Sequence, residues 1–222
     1  DHLSSPPPQV FHFGAKTEYL RLSAKAGHVF EGRPYQSFGV QFSLGRYRNA
    51  AFFGPREYEG IEETAYLNFL YQSIFESTTH KFRTGASILL DRFDERCERT
   101  PYARTERVPG LFFEYTYAPA DELTMVAGIR TDFHNAYGTM VTPRLHIRYS
   151  PAEDWVIRAV AGRGHRTANI FAENAMVFAS SRAVGIDATV PFGYGLDQEI
   201  AWNVGANLTH YFLVDYREAT VS

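Results

Sequence analysis

Apolar and polar residues alternate with period two along almost the whole chain, and no 3.6-residue period is sustained anywhere. Leu20, Leu22, Ala24 and Ala26 alternate with Arg21, Ser23 and Lys25. Phe38, Val40, Phe42 and Leu44 alternate with Ser37, Gly39, Gln41 and Ser43. The pattern recurs at Ala65–Tyr71, Phe82–Leu90, Leu111–Tyr117, Leu123–Ile129, Leu145–Tyr149, Trp155–Ala161 and Trp202–Leu208. Successive strand side chains point to opposite faces, so each segment reads as a strand with one apolar and one polar side. Nine strands are expected, with a tenth starting at Ala219. An aromatic share of 15% and 17 glycines fit strands and tight turns better than helices. The opening segment to Lys16, with Pro6, Pro7 and Pro8, reads as loop.

The connections alternate as strictly as the side chains. Short links are expected near Glu31–Tyr35, Glu76–His80, Ala118–Glu122, Ser150–Asp154 and Leu213–Glu218. Longer ones are expected at Gly45–Glu62, Phe93–Arg107, His134–Val141 and Gly164–Gln198. In an up-and-down meander this puts every tight turn at one end and every large loop at the other, the asymmetry of outer-membrane barrels. Several segments keep the pattern for about 9–12 residues, enough for a tilted membrane-crossing strand, which needs about 9–11. Their apolar sides carry no charge along the middle, and rings such as Tyr117, Tyr149, Trp155 and Phe212 mark the ends. The expected fold is therefore all-β: an antiparallel up-and-down transmembrane β-barrel. It is expected to be partial, because single-chain bacterial barrels close on an even strand number and an open edge in lipid leaves backbone groups unsatisfied. Nine to ten strands would be the middle portion of a 22-stranded barrel, the size of plugged transporters, which needs roughly 500 residues. A passive porin-type channel and a soluble β-sandwich binding module are the alternatives.

Composition removes other classes. A net charge of −3 gives no general reason to expect nucleic acid. Cys97 is the only cysteine, so there is no internal disulfide framework and no CxxC site. No apolar run reaches the length of a membrane helix, and no leader-like segment opens the sequence.

Within this pattern, Leu111 to Arg182 resembles the barrel of TonB-dependent outer-membrane receptors. The resemblance rests on Phe113-Glu114-Tyr115-Thr116-Tyr117, Gly128-Ile129-Arg130-Thr131-Asp132 and Pro143-Arg144-Leu145. It continues through Arg158-Ala159-Val160-Ala161-Gly162-Arg163-Gly164-His165-Arg166, Ala172-Glu173-Asn174, Ala179-Ser180-Ser181-Arg182 and Glu199-Ile200-Ala201-Trp202-Asn203. The family more often has Phe where His165 stands. The resemblance implies active import of a scarce nutrient across the outer membrane of a Gram-negative cell. The cargo would be a ferric siderophore, haem, cobalamin or similar metal chelate. Outer-membrane lipid would surround the barrel, and the TonB complex would act through a plug domain that this segment does not include.

No GxSxG, HExxH or Walker A motif occurs, and no nucleophile pairs with a base; an enzyme is not expected, nor a cofactor. Gly162-Arg163-Gly164-His165-Arg166-Thr167 begins like a dinucleotide fingerprint but has Thr167 at the third glycine and follows a strand leading to a long loop. Gly162 and Gly164 are read instead as allowing a bend at the barrel rim. The eight histidines show no metal-ligand spacing. On the polar face, Arg21, Lys25, Lys81, Arg83, Arg130, Arg144, Arg148 and Arg158 outnumber Asp91, Glu114 and Asp132. This describes an electropositive wall that would concentrate anions or bind a plug. Arg130, Arg144, Arg148, Arg158, Arg163, His165 and Arg166 are the candidate ligand path, and Asn169, Glu173, Asn174 and Arg182 the candidate extracellular-loop contacts.

Overall fold

The long alternating segments become long strands hydrogen-bonded in chain order. The computed structural model describes residues 12–174, 179, 186, 192, 194–214 and 217–221. Ten strands form one sheet: β1 Phe13–Val29, β2 Ser37–Phe53, β3 Arg56–Phe75, β4 Ser77–Cys97 and β5 Thr100–Ala120. It continues with β6 Leu123–His134, β7 Gly138–Ala152, β8 Trp155–Arg166, β9 Glu199–Val214 and β10 Arg217–Val221. Every neighbouring pair is antiparallel and the order is sequential, an unbroken meander. One short helix, α1 (Ile170–Glu173), interrupts the link from β8 to β9.

Two of the expected long links are not loops. Gly45–Glu62 and Phe93–Arg107 continue the strands and turn only at Gly54-Pro55 and Glu98-Arg99. The turns use Gly54 at φ 61 and Glu98 at φ 55. Hydropathy misses these extensions because their outward positions change from apolar to charged without losing period two. Cross-strand ion pairs replace apolar contacts there: Arg48 lies 2.7 Å from Glu59 and Arg46 3.7 Å from Glu63. His134–Val141 shrinks to a turn at 135–137, and Glu76 alone joins β3 to β4 beside a register shift at Ile74/Phe75. The segment 167–198 is the one long link among the described connections. The end asymmetry survives as hairpins that project at one end, here called the mouth.

Register assigns the faces. Leu22, Leu44, Ala65 and Leu90 pair in one row across β1–β4, and Ala24, Phe42, Leu67 and Ile88 in the next row. The opposite face carries rows such as Ser23, Ser43, Tyr66 and Leu89. Exposure is inverted relative to a water-soluble sheet. Val204 is 83% and Trp202 66% exposed on the apolar face, whereas Ser43 and Ser87 on the polar face are each 7% exposed. Among the described residues no second layer covers the apolar face, so the two-layer packing of a soluble sandwich is not present. Among the described residues no helix is long and apolar enough to cross a membrane. Contacts from the 167–198 segment to β2–β5 show that the polar face is the concave one. Gly85 sits on that face by necessity: a Cβ there would meet the Phe69 carbonyl oxygen at 2.1 Å.

Candidate functional site

The strand extensions carry polar side chains to the mouth of the concave face, and there they build a buried ionic network. Arg104, on β5, donates to Glu95 on β4 at 3.0 Å and to Glu106 on its own strand at 2.9 Å. Tyr58 on β3 and Tyr194 from the long link both donate to Glu95, at 2.8 and 2.5 Å. His134 approaches Glu106 at 3.4 Å, and the Thr167 hydroxyl donates to the same oxygen at 3.4 Å. The Arg104 guanidinium lies 3.5 Å from the centre of the Phe93 ring and 4.8 Å from that of Tyr194. Glu95 and Arg104 expose only 3% and 6% of their surfaces. Burial first, and then Glu95 through its charge and its hydrogen bonds, hold the Tyr58 and Tyr194 hydroxyls far above their usual titration range, so both stay donors.

An apolar cluster seals this network. Phe171 and Tyr194 are buried against Phe53, Tyr58, Cys97 and Tyr102, which ties the long link to the wall several strands away. Tyr137 donates to the Leu196 carbonyl at 3.0 Å. Burial, then the neighbouring Glu98 charge, pushes the Cys97 thiol up. Thiolate is the reactive form, so Cys97 is expected to alkylate at pH 8 more slowly than a free thiol, and faster as pH rises. Tyr194→Ala, by uncovering it, should restore most of the missing rate. Labelling with a maleimide, followed by mass, measures this at the chain's one cysteine; equal rates before and after the substitution would show that the segment does not cover Cys97.

The predicted path residues divide into three groups. Arg130, Arg144, Arg163 and His165 border one cavity of about 540 Å³ together with Tyr66, Asn68 and Asp132. Arg130 is held by bidentate contact with Asp132, at 2.8 and 2.6 Å, and also donates to Ser87 at 2.8 Å. Arg144 shares Glu114 with Arg83. Register places Arg163 and His165 on the face of Trp202 and Ile200. There the Arg163 guanidinium lies 5.9 Å from the Trp202 ring centre. Pairing between β7 and β8 is recorded only as far as Arg144–Gly162, so the two residues reach the cavity where β8 parts from β7. Gly162 and Gly164 lie within β8, which continues as strand to Arg166, and the pairing with β7 ends at Gly162.

Arg148 and Arg158 stand nearer the tight-turn end, donating at 3.3 Å to the Asp121 carbonyl and to the Thr209 hydroxyl. Arg166 pairs with Glu173 at 2.7 Å and Glu199 at 2.5 Å. Among the loop candidates, Asn169 lies 2.9 Å from the Tyr194 hydroxyl, and Asn174 donates to the Ile170 carbonyl at 3.2 Å. Arg182 is outside the described residues.

Sequence reasoning missed Glu62, Glu95, Arg104 and Glu106, because all four fell in segments read as loop. Their presence corrects the uniformly electropositive wall. Acids gather at the mouth (Glu62, Asp91, Glu95, Glu106, Asp132), while Lys25, Lys81, Arg83, Arg144, Arg148 and Arg158 dominate toward the tight turns, where Glu114 is the main counter-charge. The recoverable signal was period-two spacing: Phe93, Glu95 and Cys97 share one face of β4, and Arg104 and Glu106 face them from β5. Among the described residues no group of three or more His, Cys, Asp or Glu side chains is placed to hold a metal ion.

An unbroken antiparallel meander, apolar outside and charged inside, with hairpins projecting at one end, is a section of the wall of a large β-barrel. The family described as TonB dependent receptor-like, beta-barrel, matches residues 8–222. The chain belongs to that family. Solved structures of the same fold include the alcaligin outer-membrane receptor FauA from Bordetella pertussis, 14% identical with a TM-score of 0.64 over 95% of this chain and 37% of that one. The siderophore receptor PirA from Acinetobacter baumannii is 13% identical with a TM-score of 0.67, over 93% of this chain and 34% of that one. PirA from Pseudomonas aeruginosa is 13% identical with a TM-score of 0.62, over 94% of this chain and 38% of that one. The chain thus spans little more than a third of the length of these receptors. No curated protein matched it.

Proposed function

We propose that this chain is the middle section of the barrel of an outer-membrane receptor that imports a ferric siderophore or similar metal chelate with energy supplied through TonB. Family membership carries the reading, and the inside-out distribution of side chains supports it. The apolar outer band suits acyl chains, and the charged concave face suits a water-filled or plug-filled interior. Two further features fit capture of a polar solute: a cavity of about 540 Å³ that joins Arg130 and Arg144 to the rings of Tyr66 and Phe112, and a second of about 360 Å³ beneath the docked link. Both fall within the size range of small-molecule sites. Among the structural relatives, PirA is described as a siderophore receptor and FauA as an alcaligin receptor, which supports this choice of ligand class.

Uptake of radiolabelled iron by cells carrying the full-length receptor tests this. With ferric chelates supplied one at a time, one is expected to accumulate at least tenfold above a receptor-null strain, and dissipating the proton gradient or deleting tonB should abolish the difference. Uptake that persists without TonB would identify a passive channel instead.

A further inference from the structure

His134 ends β6 at the mouth and is almost fully enclosed, with 5% of its surface exposed. Its Nδ1 accepts from two backbone amides of the turn that follows, Ala136 at 3.0 Å and Tyr137 at 3.4 Å. An acceptor at Nδ1 leaves the one proton of a neutral imidazole on Nε2, which lies 3.4 Å from the Glu106 carboxylate. Both ring nitrogens are therefore committed, and a single tautomer fits. Asn135 pins the turn to β5 from its other side: its side-chain oxygen accepts from the Arg107 amide at 2.8 Å, and its side-chain amide donates to the Thr105 carbonyl at 2.9 Å.

The same imidazole joins the turn to the long link. Its centre lies 4.8 Å from that of Tyr137 and 5.9 Å from that of Phe192, and Tyr137 and Phe192 meet edge to face at 5.6 Å. Tyr137 in turn donates to the Leu196 carbonyl at 3.0 Å. Behind these contacts is the cavity of about 360 Å³, with His134 and Glu106 on its wall side and Thr167, Asn169 and Gln198 on its link side. The orientation of one ring thus bears on how the link covers that cavity.

A second proton has only Nδ1 to go to, where it would face two N–H donors and leave both without an acceptor. Attraction to Glu106 offsets little of this, because Arg104 at 2.9 Å and the Thr167 hydroxyl at 3.4 Å already engage that carboxylate. The other charges around the ring are committed or more distant. Asp132, on the same strand, is held by Arg130, and Glu95 of β4 by Arg104. Glu62 of β3 and Asp91 of β4 stand across the cavity, as does His165 of β8. Arg166 of β8 is paired with Glu173 and Glu199, and β7 brings only Gly138 and Met140 to this side. On the link, Asp197 follows Leu196 and is exposed.

We propose that His134 is a proton-operated catch for the link. Neutral, it holds residues 194–198 against the mouth; protonated, its ring leaves the 135–137 turn and releases them, opening the cavity beneath. The docked state excludes a proton that the undocked state binds, so falling pH favours release. The catch acts whatever the cargo, and so goes beyond the importer reading.

Amide hydrogen exchange of the full-length receptor in nanodiscs, corrected for the pH dependence of intrinsic exchange, tests it across residues 194–198. A freely accessible imidazole titrates near pH 6.5, so going from about pH 7.5 to about pH 5.5 should speed exchange there about tenfold. In His134→Asn the side-chain oxygen can accept from the same two amides and takes up no proton, so exchange should stay slow at both pH values. His134→Phe keeps a ring but offers no acceptor, and should exchange fast at both. Exchange in the parent that changes less than about twofold, or that slows in acid, overturns the proposal. A pH response that persists in either variant also overturns it, since a carboxylate would then be the group that titrates. None of these outcomes bears on TonB-dependent uptake, which stands or falls by the radiolabelled-iron experiment.

Discussion

Replacing Arg104 by Met is expected to cost the mouth of the barrel about 3–5 kcal/mol, the range for removing one partner from a buried charge group. The guanidinium is what keeps Glu95 and Glu106 together away from water: it donates to both, and Glu95 and Arg104 are almost fully enclosed. Met keeps much of the side-chain volume, so the loss reports the missing charge more than a void. Because Tyr194 donates to Glu95 and packs on the Arg104 guanidinium, the effect should appear as undocking of the 167–198 segment rather than as loss of the sheet. Faster labelling of Cys97 and new protease cleavage between 167 and 198, with unchanged far-ultraviolet circular dichroism, are the expected readouts. Adding Glu95→Gln and Glu106→Gln to Arg104→Met removes the unbalanced charges and should restore most of the protection. A single variant indistinguishable from the parent would mean that water or another segment of the receptor already compensates those carboxylates.

How this network escaped the sequence shows what period-two reading can detect. The strands from Phe38 to Leu44 or Leu111 to Tyr117 declare themselves because one face is apolar and the other polar, and the order of the sheet follows once each tight turn is recognised. Beyond Leu44 and Leu90 both faces become polar. Arg46 and Arg48 face outward while Glu95, Arg104 and Glu106 are buried inward, so contrast disappears although the backbone alternates as before. Charge pattern would have carried the strands further than hydropathy did, since Arg46 and Glu63 stand directly opposite each other. The candidate path was legible where a residue's strand was legible: Arg130, Arg144, Arg148 and Arg158 lie on the concave face. Arg163 and His165 share the register face of Trp202 and Ile200, yet they border the same cavity as Arg130 and Arg144 because the pairing of β8 with β7 ends at Gly162. The docking of Tyr194 onto Glu95 could not be read, because the two are 99 residues apart and no periodicity links them.

Leu67→Arg and Asn68→Arg place the same charge on adjacent residues of β3 and should differ sharply in outcome. Leu67 lies in the outward row with Phe42 and Ile88, in the middle of the apolar band, and is 45% exposed on that face. An arginine at the bilayer midplane costs about 2–4 kcal/mol, because lipid offers no partner for the guanidinium. Asn68 faces the other way and borders the cavity of about 540 Å³ near Asp132, where an added guanidinium meets water and a carboxylate. Its cost should stay within about 1 kcal/mol, the scale of partly exposed charge pairs. The full-length receptor, folded into vesicles and unfolded by guanidinium chloride, should lose stability on Leu67→Arg and show little shift on Asn68→Arg. In cells the first variant should also lower the amount of heat-modifiable barrel on unboiled gels. The reverse ranking, or equal losses, would mean that the apolar face meets protein rather than lipid. That result would turn the sheet inside out relative to its neighbours in the family, because the register that puts Leu67 outward fixes every other side chain on β3 with it.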